Sequence, residues 1–425
     1  MMQAIMALWC VLVTVSAGNQ PSSTPTPAAA GEVFRQAMDV VRERFYDPNL
    51  HGVDWSRVRD QFAPRAAQAG CGEGVSRVIN EALDRLHASH TRHYHRSQRE
   101  YYELLDVFNP DGINPERFPG CGTGLVGYVG VGVVAVKVDG RTFAGDVYEA
   151  GPAAQAGLHV GDELLGVEDG PWSDIDAFAG REGKPTRVHI QRTKDAGSRR
   201  TLLVTPVRIN PLEMFKESMR RGARVIQKEE TRLGYVRVRS YANPAYQELL
   251  ADLLQRELAG VDGLVLDLRG GWGGASPEYV NLFNPVTPRL GRRSRADIES
   301  GAEWQEQEFA FRKPLVLLVD GESRSGKEIF AHALRKHGRA RLVGERTGGA
   351  VLGGTPIMLR DGSMLYLAVM DVRVDGERLE GVGVPVDDEV KRTIPYAGGA
   401  DAQFDRAIEV LREGVRAARA GIGRR

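Results

Sequence analysis

Two short and almost unbroken apolar runs constrain this chain most: GLVLDL at 263–268 and PLVLLV at 314–319, each leading into a turn that contains glycine. A strand without a polar face has no side to present to water, so such runs belong inside a sheet covered on both faces. Helical patterns sit beside them. Between Pro244 and Ala259, Tyr246, Leu250, Leu254 and Leu258 fall on one face, and residues 325–336 form a second helical pattern directly after the second run. With further strands expected at Leu233–Tyr241 and Ala340–Val343, this order predicts an α/β layer with parallel pairing. Hairpin-like strands are expected between Thr355 and Val374, and an amphipathic helix from Asp401 to about Ala420.

The chain has 425 residues, too many for one ordinary core, and a multidomain α/β protein is expected. Before the α/β layer, Phe34, Ala37, Val41 and Phe45, and later Val75, Val78, Ile79, Leu83 and Leu86, recur at spacings of three and four. They mark a helical N-terminal domain over 32–120. Asp47-Pro48-Asn49 ends its first helix and Asp54-Trp55 begins another. From Gly122 the composition turns to glycine and valine, with short strands and one short helix at 151–158. The run GPAAQAGL followed by GDEL resembles a PDZ domain of the bacterial type, placed here at 121–207. That resemblance implies that the loop and strand of Gly127, Tyr128, Val129, Gly130, Val131 and Gly132 receive the carboxylate end of a peptide, which pairs with the strand edge. A scaffold without a ligand is the alternative.

Residues 4–17 form an apolar run of the length of a signal-peptide core, with small residues at Ser16 and Ala17. A signal peptide over 1–17, a flexible lead over 18–31 and export to the periplasm or the cell exterior are expected, although no basic residue precedes the run. Trp9 before Cys10 is too bulky for a lipid-attachment site. In an oxidising compartment Cys71 and Cys121 either pair or remain two thiols, since their spacing does not decide it. Lys plus Arg and Asp plus Glu both number 56, which argues against nucleic acid as a partner.

The chemistry centres on Ser325. A strand ends near Asp320, a short turn follows, and Ser325 then opens a helix whose unpaired amides, beginning with Gly326, suit an oxyanion. Read locally, Ser325 is first of all a helix N-cap, the commonest use of serine at such a place.

The wider pattern is more specific. VDGESRSGKEIF at 319–330, GRA at 338–340, VGERTGG at 343–349 and LDLRGGWGG at 266–274 together resemble the signature of tricorn-type and carboxyl-terminal-processing serine peptidases. The resemblance runs from about Phe34 to Val390 and implies a ClpP/crotonase-like protease core over 208–400, closed by a C-terminal helix over 401–425. It implies Ser325 as nucleophile and a second oxyanion amide from the glycine turn, at Gly273 or else Gly271 or Gly274.

The processing branch of that family has a lysine 25 residues after the nucleophile, where this chain has Ala350. Lys327, two positions along the helix from Ser325, points to nearly the opposite face and does not replace it. The tricorn branch instead takes a Ser-His pair from the helical domain and a late glutamate, matched here by LHASHT at 86–91 and EGVGVP at 380–385. By resemblance His90 is the general base, with Ser89 and Glu380 orienting it. His332 lies about 10 Å along the helix from Ser325, too far to take its proton. His87, His90, His93 and His95 lack the acid or cysteine that a zinc site usually adds, so neither a metal nor another cofactor is expected. Two readings follow: a serine endopeptidase acting on unfolded polypeptides through an acyl-enzyme, or a catalytically silent peptide-binding protein of the same fold.

Overall fold

The computed structural model describes residues 27–108, 126–284, 291–292, 300, 305–306 and 310–422. The expected signal segment and Cys121 lie outside them. The chain divides into two compact units, one of residues 1–127 and 354–370, the other of 128–353 and 371–425.

In the first unit, helices Pro27–Arg44, Trp55–Gln68 and Glu73–Leu83 bury Phe34, Ala37, Val41, Phe62 and Ile79, as the helical periodicity requires. Asp54 caps the second helix, its side chain accepting from the Arg57 amide at 3.0 Å. A three-stranded sheet completes the unit, with Arg92–Tyr94 antiparallel to Met364–Met370 and Gly353–Met358 on the far side. The hairpin expected as part of the α/β core therefore belongs with the helical domain. The side chains of Met364, Leu365 and Leu367 are buried there.

The second unit is built on two large sheets. Its five-stranded antiparallel sheet runs in the order Val133–Val138, Arg141–Val147, Glu163–Val167, Thr186–Gln191, Arg199–Val204, around a core that includes Val133, Leu164, Phe178, Val188 and Ile190. Tyr128–Gly130 pairs separately with Val207–Ile209. The six-stranded sheet runs Asp388–Glu389, Arg341–Gly344, Leu315–Val319, Gly263–Asp267, Thr231–Arg237, Arg224–Lys228, parallel except for the last pair.

The apolar runs are explained by the layers on either side of this sheet. Leu264, Leu266, Leu317 and Val319 face helices Pro244–Gln255 and Gly326–Lys336 through Leu250, Leu254, Phe330 and Leu334. Val265, Val316, Leu318 and Val343 face the C-terminal helix Ala402–Ile422 through Ala407, Ile408, Leu411 and Val415. That helix, expected as a separate closing element, is the second cover of the core sheet. Burying a side chain of this size contributes about 1.5–3 kcal/mol, so two faces stabilise each central strand twice over.

Candidate active site

The strand Leu315–Val319 ends beside Asp320, and the helix Gly326–Lys336 begins immediately after Ser325. Ser325 has φ 57° and ψ −128°, a conformation that L-residues rarely adopt. An N-cap does not need it. Asn210 and Asn243 cap helices of the same unit from extended backbone, at φ −90° and −122°, with their side chains accepting amide protons. The purely structural reading of Ser325 thus leaves its strained backbone unexplained, whereas presentation of a hydroxyl at a sharp strand-to-helix turn accounts for it.

The glycine turn meets this serine. A Cβ placed on Gly273 would come within 2.6 Å of the Ser325 Cβ and 2.8 Å of the Gly326 amide nitrogen. A Cβ on Gly326 would come within 2.7 Å of the Gly274 nitrogen. Only glycine allows both approaches, and they bring the glycine turn against Ser325 and the first residue of its helix. Among the described residues neither the Gly273 nor the Gly326 amide donates to a protein group. The remainder of the turn is held: Trp272 donates to the Arg239 carbonyl at 2.7 Å, Tyr241 to the Gly273 carbonyl at 3.0 Å, and Gly270 to Asp320 at 3.2 Å.

Glu328 was not singled out from the sequence. Wholly buried, its carboxylate accepts from the amides of Ser325 (3.1 Å), Gly349 (2.7 Å) and Ala350 (2.8 Å) and from the Thr347 hydroxyl (2.6 Å). Burial pushes its pKa up, opposed by those four donors. The spacing Ser325-x-x-Glu328 is that of a capping box, the signal that could have found it. Ala350, which stands where the other branch has lysine, returns a contact through its carbonyl, accepting the Ser325 amide at 2.8 Å. Glu380 holds the next residues of the same strap, accepting from the Val351 amide at 2.6 Å and the Leu352 amide at 3.2 Å.

In the first unit, the Ser89 hydroxyl and His90 Nδ1 are 2.9 Å apart, and the His90 ring lies 5.4 Å from that of Tyr366. Of the other clustered histidines, His93 is bonded to Ser76 and Ser363 at 2.8 Å each, and His95 to Ser97 at 3.1 Å. Of the loop at 127–132, Tyr128, Val129 and Gly130 form the strand that pairs with Val207–Ile209. The carbonyls of Val131 and Gly132 accept from Ala153 and Tyr148 at 3.0 and 2.8 Å.

The model for peptidase family S41 matches residues 232–390, and that for the tricorn protease C1 domain matches residues 27–84. A carboxyl-terminal-processing protease of Synechocystis sp. is 25% identical over 94% of this chain and 90% of its own length. Tricorn protease homolog 1 of Streptomyces coelicolor is also 25% identical, over 93% of this chain and 36% of its own length. The crystal structure of the tricorn protease shares the fold, with a TM-score of 0.51 at 16% identity, covering 92% of this chain and 37% of that one. Fold and site define a serine-type peptidase. More particularly, residues 232–390 are similar to peptidase family S41.

Proposed function

We propose that the chain is an endopeptidase for unfolded or loosely structured polypeptides, with Ser325 as nucleophile and His90 as general base. The observation that carries this reading is the strained Ser325 backbone flanked by the amides of Gly326 and Gly273. With Nδ1 engaged by Ser89, His90 takes the Ser325 proton on Nε2 as Oγ bonds to the scissile carbonyl carbon. The two glycine amides receive the oxyanion. His90 then returns the proton to the departing amine, leaving an ester on Ser325 that water hydrolyses by the same route. Glu380, through its hold on Val351 and Leu352, orients the strap behind the nucleophile.

A fluorophosphonate probe read out by mass spectrometry tests this. Labelling is expected at Ser325 alone and should be nearly abolished by His90→Ala, with the double variant Ser325→Ala/His90→Ala no less active on denatured protein than either single variant. Retained labelling in His90→Ala would remove histidine from the mechanism.

The five-stranded layer is PDZ-like in this reading and holds substrate ends. Its support is that Val133–Val138 lies at the edge of the sheet, where an incoming peptide can add as a further strand. Calorimetric titration of the full-length Ser325→Ala chain with a peptide and its amidated copy checks it. The amidated copy should bind about tenfold to a hundredfold more weakly, and equal affinity would leave the layer as scaffold.

A further inference from the structure

Lys327 has no part in the mechanism above, yet it is wholly buried two residues from Ser325. Its ammonium donates to two main-chain carbonyls, Gly270 at 2.6 Å and Arg239 at 3.1 Å. Burial first, and then the neighbouring Arg237, push its pKa down to about 7, against the pull of Asp320 and Asp267. A buried ammonium is poor value for stability, since an apolar side chain of similar volume would often serve a core as well.

Its two acceptors are informative. Gly270 opens the glycine turn, and Arg239 O is the same oxygen that accepts the Trp272 amide. Lys327 therefore reaches from the first turn of the nucleophile helix to the first residue of the loop that carries Gly273 and to the carbonyl that holds its Trp272. We infer that Lys327 is a positioning residue: by holding the Gly270 and Arg239 carbonyls from inside the helix that begins at Ser325, it sets where the Gly273 amide stands relative to the nucleophile. This rests on the reading of Ser325 and Gly273 given above. It assigns Lys327 no proton transfer and no contact with substrate.

The test compares the full chain with Lys327→Met, which fills the space without donors, and Lys327→Gln, which restores one donating group. Three quantities are measured on each: steady-state cleavage of an unfolded, fluorescence-quenched polypeptide, the rate of fluorophosphonate labelling at Ser325, and hydrogen exchange resolved to peptides. For Lys327→Met, kcat should fall about tenfold to a hundredfold, less than the loss of an oxyanion donor outright, and labelling should slow in parallel. KM should stay within about twofold, because the interaction lost is one made to the transition state. Exchange protection at Gly270–Gly274 should drop while that of Leu315–Val319 is kept, and the melting temperature should not fall. Lys327→Gln should lie between wild type and Lys327→Met.

A folded Lys327→Met with wild-type kcat and labelling rate overturns the inference, as does a change confined to KM. Loss of fold in both variants also overturns it, by making Lys327 a requirement of the core. Failure of the wild-type chain to label at Ser325 would instead sink the reading of the site. The exchange data then judge separately whether Lys327 holds the turn.

Discussion

At the scale of single residues, the backbone of Ser325 separates function from stability. Holding a non-glycine residue at φ 57° and ψ −128° costs on the order of 1–3 kcal/mol, and glycine escapes most of that cost. Ser325→Ala keeps the strain and loses the hydroxyl; Ser325→Gly loses both. Both variants should be inactive, and Ser325→Gly should be the more stable by about 1 kcal/mol or more in urea denaturation. The usual order at an unstrained helix start is different, since exchanging a capping serine for glycine there changes stability by only a few tenths of a kcal/mol. Equal midpoints for the glycine and alanine variants would show that the chain relaxes at this position and that the conformation stores no strain.

At the scale of elements, what could be read from the sequence was whatever depends on near neighbours along the chain. The runs at 263–268 and 314–319 are strands because five consecutive residues of each are buried. Gly273 and Gly326 meet at Ser325 because adjacent parallel strands, Gly263–Asp267 and Leu315–Val319, end side by side and deliver their following turns to one place. Long-range pairing was not legible. Nothing local in Arg92–Tyr94 announces that it will pair with Met364–Met370, about 270 residues later, so the hairpin was assigned to the wrong unit. Glu328 was missed for a different reason, since a charged residue on an amphipathic helix is ordinarily read as its solvated face, and Lys327 was weighed only as a base. Helical spacing did hold a clue for Lys327, which lies three and seven residues before Phe330 and Leu334, on the buried stripe of that helix.

At the scale of the whole molecule, a balanced charge count conceals two units with opposite responses to acid. In the first unit, His93 is buried and its pKa is depressed to about 4 from an ordinary 6.5, burial and His95 outweighing the pull of Asp361. The unfolded chain therefore takes up a proton that the folded unit refuses between those values, and stability falls as pH falls through this window. By pH 5 the loss is about 2 kcal/mol, at 1.36 kcal/mol for each pH unit. In the second unit the depressed group is Lys327, whose pKa of about 7 lies above this window.

Its buried carboxylates Asp146 and Asp267 and the half-buried Asp401 are held below the ordinary range by Arg237, Arg239 and Arg269 despite desolvation, so their contribution is lost only as pH falls below 3.8. Lys327, depressed to about 7 from 10.5, takes up its folded-state proton mainly above pH 6 and adds little slope below it. Glu328, whose pKa is raised, takes up its proton earlier in the folded state and gives stability that increases on acidification toward 4.5. Single-tryptophan versions of the chain can separate the units, because Trp55 is buried in the first and Trp172 packs on Phe178 in the second, with ring centres 5.5 Å apart. Between pH 6 and pH 5 the urea midpoint seen by Trp55 should fall and that seen by Trp172 should hold or rise. Replacing His93 with Gln, which keeps hydrogen-bonding capacity without titrating in this range, should flatten the Trp55 response. If both midpoints fell together, or if His93→Gln left the Trp55 slope unchanged, the acid response would belong to the chain as a whole and not to His93.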